Sequence, residues 1–189
     1  MDINQLIARR VLSLRNTRGL SLAALAERSG VSRSNISLIE RGESSATATV
    51  LDKLAGALGV TLASLFEADS GAPSPLSTRE RQPVWTDPAS GYTRRQLSPA
   101  VRSPMQLVEV EFPPGRRVAY EQARNESDIY QQLWLLEGAI VVTAGTQQWR
   151  LQPGDCLALR EGPDISYENP GATPARYLIS LVTLPFAPA

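Results

Sequence analysis

The chain has no histidine at any of its 189 positions. That absence removes the commonest metal ligand and the commonest general base near neutral pH, so it excludes histidine-ligated metal centres and histidine-based nucleophile triads. Cysteine occurs once, at Cys156, so no internal disulfide can form and a reduced, cytoplasmic setting is expected. Lysine also occurs once, at Lys53, beside abundant Arg and Ala, the composition of a GC-rich bacterial genome. No apolar run approaches the roughly 18 residues that a membrane span needs. The opening Met1-Asp2-Ile3-Asn4-Gln5 has no basic stretch followed by an apolar one, so neither a span nor a signal peptide is expected.

What remains is a chain with 42% hydrophobic and 20% charged residues, enough apolar side chains for a packed core and enough length for two modest domains. The formal net charge is zero but unevenly spread: residues 1–45 hold seven arginines against four acids, a net +3. A basic first part is compatible with a local nucleic-acid surface.

Residues 1–68 read as helical. Ile3, Leu6, Ile7, Val11 and Leu14 follow helical spacing until Gly19. Ser21 is placed to cap a second helix with Leu22, Leu25 and Ala26, ended by Gly30. Ser32 is placed to cap a third with Ile36 and Ile39, ended by Gly42. Leu51, Leu54, Ala55 and Leu58 make a fourth stripe, and Thr61 heads a short fifth helical segment, giving five in all. The stretch 69–83 is a Ser/Pro-rich linker. Residues 84–189 change texture to short apolar runs, at Met105–Phe112, 131–136, 139–143, 156–159 and Ala175–Leu184. Turn signals such as Pro113-Pro114-Gly115 and Pro153-Gly154-Asp155 separate them, which indicates an all-β sandwich or barrel.

The most informative segment is 20–42. Two short helices meet at a tight turn, Ser29-Gly30-Val31-Ser32, in which Gly30 supplies the left-handed backbone. Val31, Ile36 and Ile39 hold the second helix down, leaving Ser32, Arg33, Ser34, Asn35 and Ser37 outward at its start. A helix fits the B-DNA major groove, and its N-terminal side chains meet the base edges. Arg33 is positioned to read guanine, and Asn35 to pair with adenine or grip phosphate. Arg10, Arg15, Arg18, Ser21 and Arg41 are the expected backbone contacts, which position the domain without specifying sequence. Glu40 and Glu27 read as structural partners of nearby arginines.

Residues 5–67 resemble the phage-repressor-like helix-turn-helix of the XRE family. The matching stretches are Leu25-Ala26, Gly30-Val31-Ser32, Ile36-Ser37, Ile39-Glu40-Arg41-Gly42 and Leu58-Gly59-Val60-Thr61-Leu62. One departure is Ser45-Ala46-Thr47, where the family usually has proline and serine before the fourth helix. Residues 84–184 resemble the cupin barrel, a double-stranded β-helix, through Leu135-Leu136-Glu137-Gly138, Leu151-Gln152-Pro153-Gly154-Asp155 and the stretch from Gly162-Pro163 to Asn169-Pro170. Aligned on those turns, the metal-binding carboxylate of cupins falls on Gln131. The histidine positions fall near Ser127 and on Asp164 or Ile165. The resemblance therefore implies the fold without its transition metal; an oxygen-ligated cation at Glu121, Glu126 or Asp128 is the one metal alternative left open.

The expectation is thus a multidomain α + β protein: residues 1–68 a helix-turn-helix domain, 69–83 a linker, 84–189 a cupin barrel. Gln131, Leu133 and Leu135 should share the inner face of one strand, with Trp134 opposite as a dimer or inter-domain contact. The candidate pocket set is Arg116, Tyr120, Gln131, Leu133, Asp164 and Tyr167, with Arg117 as a further arginine; an arginine there favours a carboxylate or phosphate ligand. Cys156 reads as a buried, inert thiol. No catalytic residue, metal or cofactor is expected. The expected partners are a double-stranded DNA operator, a small-molecule effector and a second copy of the chain, with no membrane. Function reads as a transcriptional repressor that senses a metabolite. The alternatives are a metal-free cupin enzyme with a DNA-binding head and an antitoxin-like interaction protein.

Overall fold

The computed structural model describes residues 2–67, 74–101, 103–121, 128–160 and 164–184. The first part is four α-helices: α1 (Ile3–Thr17), α2 (Leu22–Ser29), α3 (Arg33–Glu40) and α4 (Ala48–Ala57). The expected fifth helix is a single 3-10 turn, Leu62–Phe66, which Thr61 caps by accepting from the Ser64 N–H at 3.1 Å. Five residues between Thr61 and Glu67 are too few for stable α-helical propagation, so the tighter turn wins. Asp2, Ser21, Ser32 and Thr47 each cap the helix that follows through a side-chain oxygen. Thr47 fills the place where the family pattern usually carries serine, so that departure changes the residue and keeps the cap. Val11, Leu25, Ile36, Leu51, Leu54, Leu58 and Leu65 have no exposure at all; each such burial is worth about 1.5–3 kcal/mol.

The second part is ten antiparallel strands: β1 (Val84–Thr86), β2 (Thr93–Gln96), β3 (Met105–Phe112), β4 (Arg117–Tyr120), β5 (Asp128–Glu137), β6 (Ile140–Ala144), β7 (Gln147–Leu151), β8 (Cys156–Arg160), β9 (Ile165–Glu168) and β10 (Ala175–Leu184). They form a six-stranded sheet ordered β1-β2-β3-β10-β5-β8 and a four-stranded sheet ordered β4-β9-β6-β7. The longest strands pair centrally, with Leu133 opposite Ile179 and Leu135 opposite Tyr177. Leu133 and Leu135 are buried while Trp134 is 48% exposed, the expected alternation. Cys156 corrects the expectation: it pairs with Trp134 on the outer face and is exposed. Its neighbours Leu157 and Leu159 take the inner positions, and a two-residue period leaves Cys156 outside.

The two parts share one continuous apolar cluster. The hairpin of β1 and β2 docks against the helices. Phe66 lies 5.4 Å from Trp85, Trp85 5.8 Å from Tyr92, and Tyr92 stacks on Phe112 at 5.4 Å. Buried Asp87, at the tip of this hairpin, accepts from the Ala48 N–H at 2.9 Å, so the barrel supplies a second cap to α4. Thr61 bonds Gln106 at 2.7 Å, and Lys53 pairs with Glu121 at 3.0 Å. Among the described residues no helix is long and apolar enough to cross a membrane.

Candidate nucleic-acid interface and barrel cavity

The turn between α2 and α3 is built from local bonds. Gly30 adopts φ 67°, where a side chain would be strained by about 1–2 kcal/mol. Ser29 Oγ donates to the Leu25 carbonyl at 2.7 Å and accepts from the Val31 N–H at 3.2 Å, which fixes the entry to α3. Ser32 Oγ accepts from the Asn35 N–H at 3.2 Å and lies 3.1 Å from Ser34 Oγ. Ile36 and Ile39 anchor the opposite side at 0% and 2% exposure.

The result is a polar surface at the start of α3. Ser32, Arg33 and Ser34 are exposed, and Asn35 and Ser37 are half-buried beside them. Arg41, exposed after α3, donates to Ser37 Oγ and pairs with Glu43 at 2.8 Å, which raises the guanidinium and lowers the carboxyl. Ser21 caps α2 by accepting from the Ala24 N–H at 3.1 Å, and Arg18 is exposed after α1.

Two arginines of the expected contact set are engaged inside the fold. Arg15 makes a two-pronged pair with Glu40 at 2.6 and 2.9 Å and donates to the Leu20 carbonyl, with side-chain exposures of only 13% for Arg15 and 7% for Glu40. Arg10 pairs with Glu67 at 2.9 Å and donates to the Ser64 carbonyl. Both guanidinium groups hold carboxylates of their own domain. The signal for Arg15 was already in the sequence, since Glu40 reads as structural.

Inside the barrel a cavity of about 80 Å³ opens at the junction with the helices. Tyr120, Gln131 and Tyr167 line it, and Tyr167 donates to Gln131 Oε1 at 3.4 Å. The other expected residues do not. Leu133 is core packing at 1% exposure, and Arg116 is exposed in the turn before β4. Asp164 is exposed just before β9, where Ile165 takes the inward position. Arg117 is exposed as well. Sequence reading missed Arg94 of β2 and Tyr92 just before that strand, and Asp52, Thr61 and Leu62 from the helical part, all of which line the cavity. Arg94 is 7% exposed, and its Nε is buried without a hydrogen-bond partner. Tyr92 and Tyr120 join hydroxyls at 2.9 Å, and burial pushes both phenols up, Tyr120 well above its usual range. Tyr177 is raised in the same way, again chiefly by burial. These phenols therefore stay protonated and can donate.

The cavity does not suit a transition metal. Gln131 offers only an amide oxygen already engaged by Tyr167, Ile165 is apolar, and the position near Ser127 lies outside the described residues, as does Glu126. Among the described residues, no group of three His, Cys, Asp or Glu side chains gathers to hold a metal ion.

Residues 11–65 match the family model described as Helix-turn-helix, HTH_3. Over 165 residues the chain is 24% identical to the HTH-type transcriptional regulator PuuR of Escherichia coli, covering 87% of this chain and 88% of that protein. The crystal structure of an HTH_3 family transcriptional regulator from Vibrio cholerae superposes with a TM-score of 0.75 at 23% identity, over 99% of this chain and 98% of that one. An RmlC-like cupin from Shewanella frigidimarina aligns with 58% of this chain and 90% of its own at a TM-score of 0.46 and 19% identity. The capped helix pair, the left-handed turn at Gly30 and the residues matched agree, and the N-terminal part of this chain is a helix-turn-helix domain of the HTH_3 family.

Proposed function

We infer that the chain is a sequence-specific DNA-binding transcriptional regulator that acts as a repressor, with its barrel sensing a small metabolite without a transition metal. The observation that carries this reading is the exposed start of α3, where Arg33 stands beside the Ser32 cap on a helix anchored by Ile36 and Ile39. Arg33 has no ion pair or hydrogen bond among the described residues, so its planar fork is available for a guanine edge. Ser34, Asn35 and Ser37 flank it as further base or phosphate contacts. Ser32, Ser21, Arg18 and Arg41 serve as positioning contacts. The names of the E. coli relative and the V. cholerae structure support the same reading.

One such domain reaches a single half-site, so the working unit is a homodimer in the cytoplasm that reads half-sites about 34 Å apart. The outer face of the six-stranded sheet suits a self-contact: Trp134 is 48% exposed and shares that sheet with Met105, Tyr130 and Leu184, each at least 41% exposed. An enzymatic role for the barrel finds little support, because the raised phenol of Tyr120 is a poor proton acceptor near neutral pH and Asp164 is exposed and not among the residues lining the cavity.

The test is selection of bound fragments from genomic DNA, repeated with Arg33→Ala. We expect a few fragments with a two-fold core, and a loss of roughly 1–3 kcal/mol for the variant on them. Absence of any enriched fragment at low salt, where phosphate contacts are strongest, overturns the reading.

A further inference from the structure

We propose that the barrel cavity binds a compact monocarboxylate with an apolar tail, gripped by the Arg94 guanidinium and touching the helix-turn-helix domain directly. This rests on the sensing role given to the barrel above and specifies its ligand.

Arg94 stands on β2 between Thr93 and Arg95, and alternation turns it inward. It is 7% exposed and lines the cavity. Its Nε has no partner, and no carboxylate among the described residues lies within ion-pairing distance of it. What the group does meet is the Phe66 ring, whose centroid is 5.9 Å from its Cζ, and the Tyr92 hydroxyl, a neutral partner that leaves the charge without a counter-ion among the described residues. A guanidinium cannot shed its proton in a protein, and an uncompensated buried charge is strongly unfavourable. The arrangement therefore calls for an anion from outside the chain.

The walls narrow the class. A carboxylate matches the planar fork of arginine, and the protonated hydroxyls of Tyr92 and Tyr120 can add hydrogen bonds. Val110, Ile179 and Leu181 present apolar surface to the rest of the ligand. Asp52, Arg160 and Glu121, the last paired with Lys53, also line the space, and among the described lining residues Arg94 is the buried cation, which fits a ligand carrying a single carboxylate. A volume of about 80 Å³ holds roughly five to eight water-sized groups, the size of a short or branched aliphatic acid.

The same geometry reports occupancy without a relay. Asp52 on α4 and Thr61 and Leu62 at the following turn form part of the cavity wall. Arg94 belongs to the hairpin whose Asp87 caps α4 and whose Trp85 packs on Phe66. A ligand drawn to Arg94 thus loads both elements that orient the helix-turn-helix domain.

The full-length protein is titrated with butyrate and isovalerate, with butyramide and isovaleramide as uncharged counterparts and inorganic phosphate as a tetrahedral anion. Thermal melting and tryptophan fluorescence are read together. At least one carboxylate should raise Tm saturably, while amides and phosphate leave it unchanged. Arg94→Met should weaken that response at least tenfold while leaving the Tm of the unliganded protein equal or higher, since it removes an unpaired buried charge. A merely structural arginine would lower it. Ala144→Leu, which adds bulk to the cavity wall and leaves the charge in place, should weaken binding too. The proposal is overturned if no carboxylate stabilises the wild type, if phosphate or an amide does so equally, or if Arg94→Met responds like the wild type. Operator binding is measured on the same preparations. Operator binding without a carboxylate response sinks this proposal alone, and a carboxylate response without operator binding sinks the regulator reading alone.

Discussion

Arg33 in the helical domain and Arg94 in the barrel carry the same guanidinium in opposite settings. Arg33 sits on an open helix start, with apolar anchors only behind it, so water covers its charge until a partner arrives. Arg94 sits among aromatic rings at 7% exposure with an unbonded Nε. The open arginine should add little to the stability of the fold; the enclosed one should lower it. Between them lies a third group, Arg10 and Arg15, which have buried or half-buried carboxylate partners within the helical part. Arginine count therefore says little about function here, whereas the surroundings of each guanidinium say much.

The largest disturbance of that contrast comes from the junction where the two regions meet. Trp85 is 2% exposed and touches both Phe66 of the helical part and Tyr92 beside the cavity. Trp85→Ala should cost about 3–5 kcal/mol in urea unfolding, the usual range for emptying a large aromatic site. If the loss is under roughly 1 kcal/mol, the two regions are not mechanically joined and a direct handover from cavity to helices fails. Next in size is the pair inside the helical domain. Glu40→Gln leaves the Arg15 charge without its two-pronged partner and should cost about 2–3 kcal/mol. Arg33→Ala, only a few residues away in the same motif, should stay within about 0.5 kcal/mol of the wild type in the same assay. Equal effects of the two substitutions would erase the distinction between fold-serving and partner-serving arginines.

That distinction also explains what the sequence made legible. Helix starts and stops follow from local chemistry, so Ser21, Gly30 and Ser32 were found at their structural positions. The long strands β3 and β10 show apolar patterns strong enough to read directly. The short strands were not legible, because Thr93-Arg94-Arg95-Gln96 and Arg117-Val118-Ala119-Tyr120 look like polar loop until a neighbouring strand supplies the partners. Arg94 was missed for the same reason: an inward arginine breaks the pattern that marks inward positions. Arg116 is a candidate as a polar group next to a turn, and Asp164 as one of two residues on which a cupin histidine position falls; both stand beside turns, which place charges in solvent. The contribution of α4 and the turn after it to the cavity depends on contacts between residues some 35–70 apart in sequence, such as Ala48 with Asp87 and Thr49 with Ala119. No local pattern encodes these.

The subtlest test concerns Glu67, the carboxylate at the junction that answers Arg10. Its surroundings act in opposite directions. Burial pushes the carboxyl up, while the Arg10 charge and the hydrogen bonds from Gln106 and Arg10 pull it down, and burial prevails. A carboxyl raised in the folded state holds its proton more tightly there than in the unfolded chain. Unfolding then releases protons in the window between the ordinary value of 4.5 and the raised one. Stability must therefore fall as pH rises through that window and level off above it. Glu67→Gln has no proton to lose, so the difference in urea midpoint between wild type and variant isolates this group from every other titrating carboxyl. We expect the wild type to lose ground to the variant as pH rises through the window. A difference that moves in the opposite direction would mean that pairing with Arg10 outweighs burial, and would place Arg10 and Glu67 with Arg15 and Glu40 as a net source of stability at neutral pH.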